Sequence, residues 1–155
     1  MTEELVEAFL INNRANLLLL SELSDEALAA TLSTRGGRSV GQQFVHVHEV
    51  RRQRLEAADR ELARDVPALS RDRGRDRDAL LDAFTRSGEA VAELIRRSAA
   101  DGGRVKGFRR GIAALVTYLV AHDAHHRGHA LLTLKQAKVK RPDRLRFGVW
   151  DWNRL

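Results

Sequence analysis

"IAALVTYLVAHDAHHRGH", residues 112–129, decides how the rest of the chain is read. Its first half is apolar, and its second half carries four of the protein's six histidines. On a helical wheel at ~100° per residue, Ile112, Leu115, Val116, Leu119, Ala130 and Leu134 form one apolar face. His126 falls well inside that face, and His122 lies at its edge one turn earlier. His129 follows on the side of His122, whereas His125 points about 100° away from His126. A membrane span needs roughly 20 apolar residues, so the run 112–121 belongs in a core. The segment reads as one long helix, about 108–137, that carries imidazoles toward the interior of a helical protein.

The same periodicity marks three further helices. The first covers about 3–22, with Thr2 as its cap and acids in its first turn. Its apolar set is broad (Leu5, Phe9, Leu10, Leu17 to Leu20), which suits burial on several sides. "SDEALAATL" (24–32) is a short capped turn of helix, and "STRGGRS" (33–39) breaks the chain at two glycines. The second helix begins near Ser39, carries Val40, Phe44, Val47 and Val50, and runs to about 64. A polar link at 70–77 leads to the third, about 78–100, with Leu80, Leu81, Phe84, Val91, Leu94 and Ile95 at helical spacing. "DGGR" (101–104) ends it.

The tail "RPDRLRFGVWDWNRL" (141–155) looks irregular and holds both tryptophans. Trp150 and Trp152 share a side in an extended segment. They are expected to staple the tail to the bundle or to contribute to a dimer contact. No strand alternation or internal repeat is present. The expectation is an all-α, single domain over 1–155: an antiparallel four-helix bundle with an irregular C-terminal tail.

Composition narrows the chemistry. The chain has 155 residues, 43% hydrophobic and 31% charged, the balance of a folded globular protein. It has no cysteine, so disulfides, thiolate metal sites and a cysteine nucleophile are excluded. A bound metal must use His, Asp or Glu. The opening "MTEELVEAF" is acidic where a secretory leader is basic, and no membrane span is read, so a cytoplasmic location is expected. The net charge of +6 favours anionic partners. Arginines are nevertheless interleaved with acids, as in "RDRGRDRD" (71–78), and aromatics make up only 5%. Both features weigh against nucleic acid as the partner.

All six histidines fall in two clusters, the one at 122–129 and "HVH" at 46–48. His122 and His126 form an i, i+4 pair, a spacing that lets two imidazoles reach one ion from one helix. A third ligand must come from elsewhere, and His46 and His48 are on offer. Three neutral imidazoles leave open positions for water or substrate, as catalytic sites do. A lone histidine on an apolar face is usually a hydrogen-bonded core residue. Two matched clusters make a shared ion the simpler account, because several buried imidazoles without partners are costly. "HDAHH" (122–126) also nearly spells the HExxH helix of zinc proteases. Asp123, however, is one methylene shorter than the required Glu, and the downstream ligand patterns are missing. Asp123 is expected instead to orient a ligand or to hold a neighbouring helix.

Three stretches resemble the DinB/YfiT-like metalloenzymes: "RSVGQQFVHVHEVR" (38–51), "YLVAHDAHHRGHALLTLKQ" (118–136) and "FGVWDW" (147–152). In that family a Ser-Val-Gly opens the second helix and a ligand histidine follows seven residues after the Ser, which falls on His46. The helix-four pattern H-[DE]-x-H-H-x-G-Q places the other two ligands at His122 and His126. By the wheel alone His48 lies marginally closer to the apolar face than His46. The family register selects His46 and leaves His48 as a reserve ligand or a hydrogen-bond donor to one. His129 stands where the family has Gln, and there it is a candidate fourth ligand or proton carrier. The resemblance implies a divalent metal (zinc, nickel or iron), a small-molecule substrate and a homodimer. Characterised relatives transfer low-molecular-weight thiols, bacillithiol or mycothiol, to electrophiles. The function expected is such a transfer, with Arg127 and nearby basic residues as the candidates for binding the acidic thiol. The alternatives are a metal-dependent hydrolase and a stress protein that binds metal or ligand without turnover.

Overall fold

Side-chain caps set the start of most helices in a computed structural model of the chain, which describes residues 1–155 with the side chain of Arg146 excepted. Helix α1 is Thr2–Glu22 and α2 is Asp25–Ala29, capped by Ser24. Helix α3, Val40–Ala58, opens on a capping box: Ser39 Oγ accepts from the Gln42 amide at 3.3 Å, and Gln42 Oε1 accepts from the Ser39 amide at 3.0 Å. Asp59 ends α3 and caps the single turn α4, Arg60–Ala63, so the second helix of the sequence reading is broken at that residue. A 3-10 turn, Arg71–Arg75, occupies the polar link. Asp76 then caps α5, Arg77–Ala100. Helix α6 is Gly111–Gln136, and α7 is Arg144–Gly148. Among the described residues there is no strand, only one bridge between Val105 and Phe108. No helix is long and apolar enough to cross a membrane.

The four long helices pack in the cyclic order α1, α5, α3, α6. Two apolar clusters fill the interior. One takes Leu19 and Leu20 of α1, Val40 and Phe44 of α3, Leu80 and Phe84 of α5, and Leu134 of α6. The other takes Val6 and Phe9, Leu55, Val91 and Ile95, and Leu115 and Leu119. Along α1 and α6 the second cluster comes first; along α3 and α5 it comes last. Thus α1 runs against α5, and α3 against α6, as expected of an antiparallel bundle. The neighbours α3 and α5 run the same way. That is possible because the chain returns alongside α3 before α5 begins. Gly74 of the 3-10 turn lies against Gly41 in the first turn of α3, and a Cβ on Gly41 would stand 1.7 Å from the Gly74 carbonyl oxygen. Only glycine permits that approach.

The tail is stapled by other residues than the sequence suggested. Leu145 and Val149, on and just after α7, are buried in the first cluster. Arg14 Nε donates to the Leu155 carbonyl at 2.7 Å. Trp150 is 72% exposed and Trp152 is 40% exposed. The physical reason is helical: i, i+4 residues share a face in α7, whereas the i, i+2 rule assumed extended chain.

Candidate metal centre

Because α3 and α6 run antiparallel, His46 on one meets His122 and His126 on the other. One ring nitrogen from each lies within 4.8 Å of the others. The Nε2 atoms of His46 and His122 are 3.4 Å apart. Two nitrogens bonded tetrahedrally to one zinc at ~2.0–2.1 Å would be about 3.4 Å apart, so this pair already stands at the spacing an ion needs. His46 and His122 are half-buried, and His126 is 8% exposed. The cluster therefore has a dry side against the bundle and a wet side at the surface between α3 and α6.

Neighbours orient the rings. His126 Nδ1 lies 2.6 Å from Gln43 Oε1. That oxygen can only accept, so Nδ1 carries the proton and the Nε2 lone pair is left for a ligand bond. His122 stacks on Tyr118, centroids 5.9 Å apart and planes 23° apart. Its Nδ1 is buried without a protein partner, so the stacking on Tyr118 and the Nε2 contact with His46 set its plane. Arg54 lies over the Tyr118 and Phe108 rings, at 5.3 and 5.8 Å. His46 Nδ1 is 3.4 Å from a guanidinium nitrogen of Arg38. A guanidinium only donates, so this contact uses the His46 tautomer with its proton on Nε2. A cation beside Nε2 needs the opposite tautomer, with Arg38 turned away. Arg38 is exposed and free to turn.

Burial is the main cause that holds all three imidazoles below the usual histidine pKa. The cationic Arg38 lowers each of them further. Asp123 partly offsets this at His122. His126 is pushed down to about 3 by burial and then by the fields of His122 and His46. The cluster is neutral at pH 7, with lone pairs free. Three neutral nitrogen donors without a carboxylate suit zinc, nickel or iron and not magnesium or calcium. The donor set fits a divalent transition metal.

The other residues singled out in the sequence lie elsewhere. His48 is fully buried and satisfied as a core histidine: Nε2 donates to the Pro67 carbonyl at 2.6 Å, and Nδ1 lies 3.3 Å from Ser87 Oγ. Both its nitrogens are engaged away from the cluster, so it neither joins nor supports it. His129 and His125 are exposed, with ring centroids 4.2 Å apart. His129 is outside the three-nitrogen group. Arg127 is buried, not on the rim: it donates to Asn12 Oδ1 at 3.0 Å and Asn16 Oδ1 at 2.7 Å. It is therefore unavailable to an acidic thiol.

Asp123 holds neighbouring helices rather than a ligand. Its Oδ2 accepts from Asn12 at 2.8 Å, from Asn16 at 3.0 Å and from the Arg51 guanidinium. Arg51 is sandwiched between Phe9 and Phe84, 5.2 and 4.8 Å from their centroids, and also donates to Asn13. These groups form a polar layer across the middle of the bundle, between the two apolar clusters and level with the histidines. Sequence reasoning missed it. The signal was "NNRAN" (12–16), because asparagines are poor helix formers and Asn12 and Asn16 share the buried face of α1 with Phe9, Leu19 and Leu20. A cleft of about 890 Å³ lined by Arg52, Glu56, Arg60 and Arg64 includes none of the histidines.

Fold and cluster together define a helical-bundle protein with a candidate three-histidine metal centre. Residues 1–144 match the family model described as the DinB family, and the chain belongs to that family. No curated protein and no solved structure matches it.

Proposed function

We propose that the protein is a metal-dependent enzyme that transfers a low-molecular-weight thiol, of the bacillithiol or mycothiol kind, to an electrophilic small molecule. The observation that carries the reading is the convergence of His46, His122 and His126 on one point at the surface between α3 and α6. Three protein ligands leave room for a fourth, exogenous one, and the half-buried His46 and His122 leave a path to it. A divalent cation held there supplies a Lewis acid that favours the deprotonated form of a bound thiol. The chain's own groups do the rest. Gln43 fixes the His126 tautomer, and Tyr118 helps to set the plane of His122. Arg38 beside His46 and Arg54 over Tyr118 offer positive charge to an acidic cosubstrate. Homodimerisation belongs to the same proposal.

The test is to supply metal-free and zinc-, nickel- or iron-loaded protein with an electrophile and with bacillithiol, mycothiol or no thiol. Conjugate formed only with both metal and thiol, and lost in His126→Ala, supports the proposal. Consumption of the electrophile at the same rate without thiol means hydrolysis, and no consumption in any arm means binding without turnover. Either result overturns the transferase reading.

A further inference from the structure

The rings of His125 and His129 are not used by the cluster just described. They lie one turn apart on α6, both exposed, with centroids 4.2 Å and planes 56° apart. Among the described residues neither ring makes a hydrogen bond, and each touches the cluster only edge-on at His126, with centroids 5.1 Å away for His125 and 6.1 Å for His129. The i, i+4 spacing lets two imidazoles chelate one ion from a single helix. The surrounding helix surface leaves room for the waters that would complete its shell. Ala121, Ala124 and Gly128 are small and exposed, and a Cβ on Gly128 would meet nothing within 4 Å. The charged residues beside the pair in sequence turn inward: Asp123 and Arg127 are both buried in the polar layer. Neither crowds the pair with charge.

We propose that His125 and His129 form a second, solvent-facing cation site on α6, separate from the His46–His122–His126 cluster. Two imidazole nitrogen donors select borderline divalent ions, such as zinc, nickel and copper(II), over magnesium and calcium. With two protein ligands instead of three, this site is the weaker one. The pair stands on its own geometry and does not depend on the cluster being a metal centre.

Zinc titration of untagged, metal-free protein by calorimetry tests it, with folding of each variant checked by circular dichroism. Wild type is expected to bind two equivalents in two classes. His129→Gln and, independently, His125→Gln are expected to lose the weaker equivalent and keep the tighter one. His122→Ala is expected to do the reverse, and copper(II) bound to it should show nitrogen coupling from the pair in electron paramagnetic resonance. If only the pair binds, wild type shows one equivalent that His129→Gln abolishes, which supports this site while removing the cluster. Equal zinc stoichiometry in wild type and in both glutamine variants overturns the proposal.

Discussion

Arg38 is the residue on which the state of His46 turns. Its guanidinium favours the His46 tautomer that a cation on Nε2 cannot use, and it adds a positive charge beside that cation. Arg38→Gln removes the charge and offers an amide oxygen to the Nδ1 proton instead. Zinc affinity at the tighter site should rise on the order of tenfold, the scale of changes to groups that support metal ligands. Unchanged or weaker affinity, read by competition with a chelator dye, would show that Arg38 does not gate the site. His126 carries a second prediction, for metal-free protein. Its folded pKa of about 3 lies below the unfolded value of ~6.5. Its stabilising effect is complete above the unfolded value and is lost as pH falls from there toward 3. Between pH 7 and pH 5 the unfolded chain takes up a proton that the folded His126 refuses, which costs on the order of 2 kcal/mol. Urea midpoints in the presence of chelator should fall by at least that much, and His126→Gln should make the slope shallower without abolishing it, because burial also holds His46, His48 and His122 below the usual value. A midpoint as high at pH 5 as at pH 7 would contradict the burial assigned to this ring.

At the scale of the element, the rotation of α6 decides which histidines meet. Asp123 lies between His122 and His126 and is bound to Asn12 and Asn16 of α1 and to Arg51 of α3. That anchorage turns His122 and His126 toward α3 and leaves His125 and His129 in solvent. Asp123→Asn leaves Arg51 and Arg127 as buried cations without a counter-charge. It should destabilise the protein by about 3–5 kcal/mol, the range for breaking a buried ion pair from one side. A loss under about 1 kcal/mol in urea unfolding would refute the role given to the layer. Much of α6 was legible in the sequence, because its apolar wheel placed His126 inside and His122 at the edge. The wheel did not separate His46 from His48. They flank the apolar face of α3 on opposite sides at nearly equal angles, and what distinguishes them is which neighbour each meets: α6 for His46, Ser87 and Pro67 for His48. Periodicity within one helix carries no information about that. The same limit applies to the tail: the i, i+2 rule pointed to Trp150 and Trp152 as the staple, whereas the residues that pack on the bundle are Leu145 and Val149, one helical turn apart.

For the whole molecule, the bundle positions the histidines by dividing its core. Two apolar clusters clamp the helices at either end, and the polar layer between them sets their register at the level of the site. The number and approximate limits of the long helices followed from apolar spacing and breaks. The antiparallel pairing of α1 with α5 and of α3 with α6 was also expected; the parallel run of α3 beside α5 was not. The parallel run of α3 and α5 depends on the close approach of Gly41 and Gly74, whose partners are distant in sequence. The scaffold brings three imidazoles together between α3 and α6, in an arrangement that could hold one metal ion. Anomalous diffraction from zinc-loaded crystals measures it most directly. The strongest anomalous peak is expected ~2.0–2.1 Å from one ring nitrogen each of His46, His122 and His126. A strongest peak that lacks any one of these three contacts, or no peak between α3 and α6, would contradict it.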